Sequence, residues 1–306
     1  MTYIAFYNTE NFFPPESPFL PASWDNKKYL HKRQNLVKVF ELMKHQYGSL
    51  PALIGLAEIG NKKVVKELLD FPIFEKNYGY IHYESPDERG IDVALTYDKT
   101  RIHILHSEPI RYEFEMNNGR EFYMDTTRDV LYVQLEILGQ KLHYFLVHLP
   151  SKRDKDINLD KRNHILSSIK EKIESIILNQ KEAVIVAGDF NENPNEANLQ
   201  EFRYHEGISE ILENPFLKHF YQHHYSTFHH KQGLLFDQIM CSQHFFNAQF
   251  PLQYKTSVVF ARKELSRKDD LKLLRPNRTY SGTRYIGGYS DHFPVLLCFD
   301  ESKNQA

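Results

Sequence analysis

Val184-Ile185-Val186-Ala187-Gly188-Asp189-Phe190-Asn191 decides the reading of this chain. Five small or branched residues in a row suit a strand buried on both faces. The run then stops abruptly at an aspartate and an asparagine. The same pattern recurs elsewhere. Ile4-Ala5-Phe6-Tyr7 runs into Asn8, Leu53-Ile54-Gly55-Leu56-Ala57 into Glu58, and Tyr144-Phe145-Leu146-Val147 into His148. Ser290-Asp291-His292 directly precedes the apolar run 293–297. If these strands share one end of the fold, their polar ends converge there, where the backbone is free to present side chains.

Strands are predicted over 4–7, 52–57, 92–97, 130–138, 142–147, 183–187 and 294–299. Leu36, Val39, Phe40 and Met43 repeat at helical spacing, as do Ile165, Ile169, Ile173, Ile176 and Ile177. These two stripes predict sheet-covering helices. A further apolar run, 234–240, encloses Asp237. A lone buried charge is costly, so Asp237 is expected to have a partner, most naturally a histidine. Strands alternating with helices make an α/β protein.

Composition sets limits. With 38 Lys plus Arg against 40 Asp plus Glu the net charge is −2, which rules out attachment to nucleic acid by bulk charge but not a local basic surface. Two cysteines in 306 residues exclude a disulfide scaffold, and Cys241 and Cys298 read as small hydrophobes. The chain opens without a recognisable signal peptide and holds no stretch long enough to span a bilayer. A cytoplasmic protein without stable membrane insertion is therefore the expectation. No repeat or linker divides the chain, so one domain over 1–306 is expected. The sequence leaves oligomeric state open.

The strand-end residues suggest their own chemistry. Glu58, Asp291 and the Asn8 amide, without cysteine, suit a hard divalent cation such as Mg²⁺ or Mn²⁺. A hard cation beside Asp and His groups suits phosphoryl transfer to water. Neither a G-x-S-x-G elbow nor a GxxxxGK[ST] loop is present.

Seven segments then line up in order: Phe6-Tyr7-Asn8-Thr9-Glu10-Asn11-Phe12, the Glu58 strand end, Arg89-Gly90-Ile91-Asp92-Val93-Ala94-Leu95, Val147-His148-Leu149-Pro150-Ser151-Lys152, Ala187-Gly188-Asp189-Phe190-Asn191, Phe236-Asp237-Gln238-Ile239 and Gly288-Tyr289-Ser290-Asp291-His292-Phe293-Pro294-Val295. In this order they resemble the endonuclease/exonuclease/phosphatase superfamily, on its pancreatic-deoxyribonuclease-like and abasic-endonuclease-like side, and most nearly its bacterial members. The resemblance spans residues 6–297. It implies a four-layer α/β sandwich, two packed mixed β-sheets flanked by helices, and a Mg²⁺-dependent phosphodiesterase, an endonuclease or exonuclease on nucleic acid. Residue by residue it implies Glu58 as principal metal ligand with Asn8 and Asp291 close to the cation, and Asp189 as the group that activates water. Asn191 would hold the phosphate or the aspartate. His292, paired with Asp237, would contact the scissile phosphate, and His148 would be a second cationic or hydrogen-bonding group on it.

Two other readings stand beside this one. The same chemistry could serve a small or lipid phosphoester of the inositol phosphate or sphingomyelin type, which the net charge favours. A binding module without catalysis is the alternative of another class. Other signals read more plainly. Arg89 is a phosphate-reaching arginine or a turn residue. His219, His223, His224, His229 and His230 are loop histidines, with zinc at the His219/His223 pair as the alternative. Residues 262–278, net +4, form a solvated loop or extend an anion-binding track for the substrate. Tyr280, Tyr285 and Tyr289 could stack on bases.

Overall fold

The structure, a computed structural model, describes residues 1–21, 23–117, 121–152, 156–267 and 273–302. Twelve strands build two six-stranded sheets. In chain order these are β1 (Thr2–Phe12), β2 (Leu53–Ile59), β3 (Tyr78–His82), β4 (Asp92–Asp98), β5 (Ile102–Ile110), β6 (Val130–Ile137), β7 (Gln140–His148), β8 (Ala183–Asp189), β9 (Leu212–Glu213), β10 (Asp237–Ser242), β11 (Leu252–Val259) and β12 (Val295–Glu301). The first sheet runs β11-β12-β1-β2-β4-β3 and the second β9-β10-β8-β7-β6-β5. Each has one parallel pair at its centre, β1 with β2 and β7 with β8, among antiparallel neighbours.

Alternation along the strands sorts side chains into layers, because successive residues point to opposite faces. Ile4 and Phe6 of β1 meet Tyr144 and Leu146 of β7 and Ile185 and Ala187 of β8 in the core between the sheets. Tyr3, Ala5 and Tyr7 face outward to Leu36, Val39, Phe40 and Met43 of α1 (Asn26–Tyr47) and to Val64, Val65 and Leu68 of α2 (Lys62–Leu69). On the far side Phe145, Val147, Val184 and Val186 pack under Ile165, Ile169 and Ile173 of α3 (Leu159–Glu174). The expected four-layer α/β sandwich is what is found. Gly55 lets the sheets approach: a Cβ there would lie 2.6 Å from Leu146 and 3.2 Å from Phe6.

Both predicted helices form. The second continues into a wider π turn over Ser175–Gln180, and Asp25 caps the first by accepting the Lys28 N–H at 2.8 Å. Edge strands β5 and β11 were not anticipated. The 234–240 run begins its strand only at Asp237, while Leu234 closes a separate short hairpin. Asp237 is therefore a strand-end residue, not a mid-strand one. Cys241 and Cys298 are buried and unpaired. Among the described residues no helix is long and apolar enough to cross a membrane.

Candidate active site

The two parallel pairs end side by side. Asn8 pairs with Ala57, the residue before Glu58, and Asp189 pairs with both His148 and Asp237. β12 runs antiparallel to β1, with Phe6 opposite Val295, so the loop before it delivers Asp291 and His292 to the same end. The seven strand-end residues expected from the sequence, Asn8, Glu58, His148, Asp189, Asn191, Asp291 and His292, therefore lie with Asp237 at one edge of the sandwich.

Local backbone geometry aims them. The β1/β2 register shifts after Asn8, and Glu10, Asn11 and Glu58 have φ of 52°, 52° and 60°. Non-glycine residues rarely adopt this left-handed region, and bulges of this kind re-aim side chains. The bulge brings Glu58 Oε2 under the Asn11 N–H at 2.8 Å. On the other sheet Asn191 has φ 51°, and its N–H donates to Asp189 Oδ1 at 2.9 Å. Gly188 admits no side chain, since a Cβ would lie 2.1 Å from the Val147 carbonyl oxygen.

Asn8 bridges the sheets. Its Nδ2 donates to Asp189 Oδ2 at 3.1 Å and to Glu58 Oε1 at 3.3 Å, while its Oδ1 accepts the Glu10 N–H at 3.0 Å. In this amide orientation Asn8 offers donors to the two carboxylates and turns its oxygen to the backbone. Asn191 behaves similarly: its Nδ2 donates to the Leu149 carbonyl at 2.8 Å. Its backbone, not its side chain, holds the aspartate.

Burial and charge set the protonation states. His292 Nδ1 lies 2.6 Å from Asp237 Oδ2. Burial works against charging this imidazole, but Asp237, Asp291 and Asp189 together push its pKa well above the usual histidine value. Asp189 is pushed up to about 7 by burial and by Asp237. Burial, then the Asp291 carboxylate, raise Glu58. His148, 3.8 Å from Asp189, is pushed down to about 3 by burial, Arg89 and His292. Of the two roles expected for His148, a neutral hydrogen-bonding group fits this environment and a cation does not. His148 Nδ1 and Asp237 Oδ1 are buried with no hydrogen-bond partner among the described residues.

Two clusters could receive a cation. Asp189, Asp237 and His292 bring one ligand-type atom each within 4.8 Å of one another. However, a protonated imidazole tied to a carboxylate has no lone pair to give a metal. Glu58 and Asp291 offer hard oxygens, and their mutual repulsion is what a divalent cation offsets. That donor set fits Mg²⁺ or Mn²⁺.

Supporting networks escaped the sequence reading. Fully buried Arg162 of α3 donates Nε to Glu192 Oε1 at 2.8 Å and Nη1 to the Pro150 carbonyl at 3.1 Å. Gln238 Nε2 donates to the Glu192 carbonyl at 2.7 Å, so the loops after His148 and Asp189 are braced from behind. Across the site, buried Lys32 of α1 donates to Thr279 Oγ1 and the Tyr289 carbonyl, both at 2.6 Å. Asn35 holds the Gly287 and Gly288 carbonyls, which fixes the segment leading to Asp291.

His219 is buried on a short helix, with Nε2 2.9 Å from both Ser257 oxygens. His223 instead meets the Tyr225 hydroxyl at 2.8 Å, so the His219/His223 zinc pair is not assembled. Arg278 pairs with Asp291 at 3.2 Å, whereas residues 268–272 and Arg153 lie outside the described residues. Tyr280, Tyr285 and Tyr289 pack against the outer core beside α1.

The comparisons agree with this fold. The endonuclease/exonuclease/phosphatase family model matches residues 3–301, and the chain belongs to that family of phosphoester hydrolases. D. rerio TDP2 complexed with single-strand DNA product is 18% identical, with a TM-score of 0.61 over 98% of each chain. The human Nocturnin catalytic domain with bound sulfate is also 18% identical, TM-score 0.61, covering 98% of this chain and 94% of that one. The mannosyl-6-phosphatase Bt3783 of Bacteroides thetaiotaomicron is 16% identical, TM-score 0.58, covering 98% and 100%. No curated protein matches the sequence.

Proposed function

We propose that this protein is a divalent-metal-dependent phosphodiesterase that hydrolyses nucleic acid, working as one domain because its site draws on both Asn8 and His292. The observation that carries the reading is the 2.6 Å His292–Asp237 pair set beside Asp189, with Glu58 across the Asn8 bridge. Asp189, held by the Asn191 N–H and the Asn8 amide, orients the attacking water and takes its proton. His292, kept charged by Asp237, faces the phosphate and stabilises the charge that develops on its oxygens or the leaving group. His148 is a neutral hydrogen-bonding group on the phosphate, and Asn191 fixes Asp189 through its backbone. Glu58 and Asp291, with Asn8 beside them, would hold Mg²⁺ or Mn²⁺, and the bound cation would neutralise phosphate charge.

A small phosphoester is the second reading, favoured by the net charge of −2. The test is hydrolysis of single-stranded DNA, RNA, bis-p-nitrophenyl phosphate and sugar phosphates with and without Mg²⁺ or Mn²⁺. Metal-dependent cleavage of an oligonucleotide supports the proposal. Cleavage of sugar phosphates alone moves the assignment to the second reading, and no turnover with any substrate leaves a binding module.

A further inference from the structure

Beside the site, on the Asn11 side, lies a cleft of about 400 Å³ lined by Phe13, Phe19, Trp24 and Tyr280 together with Asn11 and Arg89. We propose that it is a subsite for a planar aromatic ring, a nucleobase, attached to the phosphate that Glu58, Asp189 and His292 surround. This rests on the phosphodiesterase reading above and adds which part of the substrate is recognised.

Four aromatic side chains line a space of the size ordinary ligand pockets have. Their orientations are held. The Trp24 indole N–H donates to the Phe13 carbonyl at 3.2 Å, and Trp24 and Tyr280 have ring centroids 6.2 Å apart at 44°. Phe19, 51% exposed, rests its ring where a Cβ on residue 90 would lie, 2.4 Å away. Gly90, at φ +61°, leaves that room, which gives the Arg89-Gly90 segment a purpose beyond a turn. The cleft and the site are also built from the same residues. Asn11 gives its N–H to Glu58, and Glu10, two residues on from Asn8, accepts the Thr279 and Tyr280 N–H groups at 2.5 and 3.3 Å. Arg89 lies close enough to His148 for its charge to act there.

Charge selects the occupant. Glu10 and Glu88 line the cleft, and Arg89 is the only cation among its described lining residues. A second phosphate would meet two carboxylates there. An uncharged ring would meet aromatic faces, on which stacking is favourable for every base.

Trp24 is the only tryptophan in the chain, so its emission reports this cleft directly. Adenosine 5′-monophosphate, titrated with Mg²⁺ present, is expected to quench that emission saturably. Ribose 5-phosphate, the same phosphate without the base, is expected to leave it unchanged. Phe19→Ala should weaken adenosine monophosphate binding about ten-fold or more. Equal responses to the two ligands, no response to either, or an unaltered affinity in Phe19→Ala would overturn the subsite. Hydrolysis of a dinucleotide is measured in parallel. Quenching without hydrolysis upholds the subsite and removes the phosphodiesterase reading, whereas hydrolysis without quenching removes the subsite alone.

Discussion

His292 and fully buried Asp237 form a hydrogen-bonded pair, Nδ1 to Oδ2 at 2.6 Å, although 55 residues separate them in sequence. Asp237 comes from the first residue of β10 in one sheet, and His292 from the loop entering β12 in the other. The pair therefore forms only when both sheets are assembled. Asp237 raises the histidine pKa, so an acid role for His292 should persist to alkaline pH. Asp237→Asn keeps the shape and removes the largest raising charge. The alkaline limb of the pH–rate profile should then move to lower pH, with kcat down about 10²- to 10⁴-fold, the range of general acid catalysis. An unmoved limb would show that Asp237 does not control His292.

Metal dependence should run through Glu58. Glu58→Gln keeps the side-chain shape but removes the charge that a hard cation needs, and one of the two hydrogen bonds that Glu58 accepts, from the Asn11 N–H and the Asn8 amide, is given up. The Mn²⁺ concentration giving half-maximal activity should rise at least ten-fold, and chelation should abolish wild-type turnover. Metal titration of activity in the two proteins checks both expectations.

Arg162 offers a stability test separate from catalysis. Arg162→Met leaves Glu192 buried with Lys152 as its remaining cationic partner. Breaking a buried pair from one side costs about 3–5 kcal/mol, and Lys152 should hold the loss near the lower end. The double variant Arg162→Met/Glu192→Leu should recover part of it. Urea unfolding of the single and double variants reads the coupling.

Acid should weaken the fold through its neutral histidines. His219 is pushed down to about 4 by burial, and His148 to about 3. In the unfolded chain both titrate near about 6.5, so below that pH the unfolded state binds more protons. Stability is then fully present above about 6.5 and falls as pH drops toward 4. His219→Asn should reduce the slope over that window by up to about 1.4 kcal/mol per pH unit. Denaturant midpoints between pH 7 and 4 measure it.

The fold and the strand-end residues were legible because both depend on short-range patterns. Continuous apolar runs, buried on both faces, ended at polar residues, and topology alone then carried those ends to one edge. The edge strands β5 and β11 were obscured because polar residues interrupt Ile-His-Ile and Tyr-Lys-Thr as they do at half-exposed edges. Lys32 lies one helical turn before Leu36 on the buried stripe, and a lysine there reads as the end of the stripe. Its partners, Thr279 and Tyr289, are more than two hundred residues away and carry no local signal. Arg162, one turn before Ile165, is hidden as Lys32 is, as a charge that reads as the end of the apolar stripe. The left-handed turns at Glu10 and Glu58 use a residue with no glycine-like preference, and only Asn11 has some tolerance of that region, so the bulges that aim the carboxylates carry little local signal.

In the proposed mechanism everything turns on Asp189 activating the attacking water. The most direct test is the rate at which Asp189→Asn hydrolyses bis-p-nitrophenyl phosphate with Mn²⁺ present, compared with the wild type, with thermal unfolding of both proteins alongside. A fall of at least about a thousand-fold with a native unfolding transition is the predicted result. Turnover within about ten-fold of the wild type in a folded variant would contradict it.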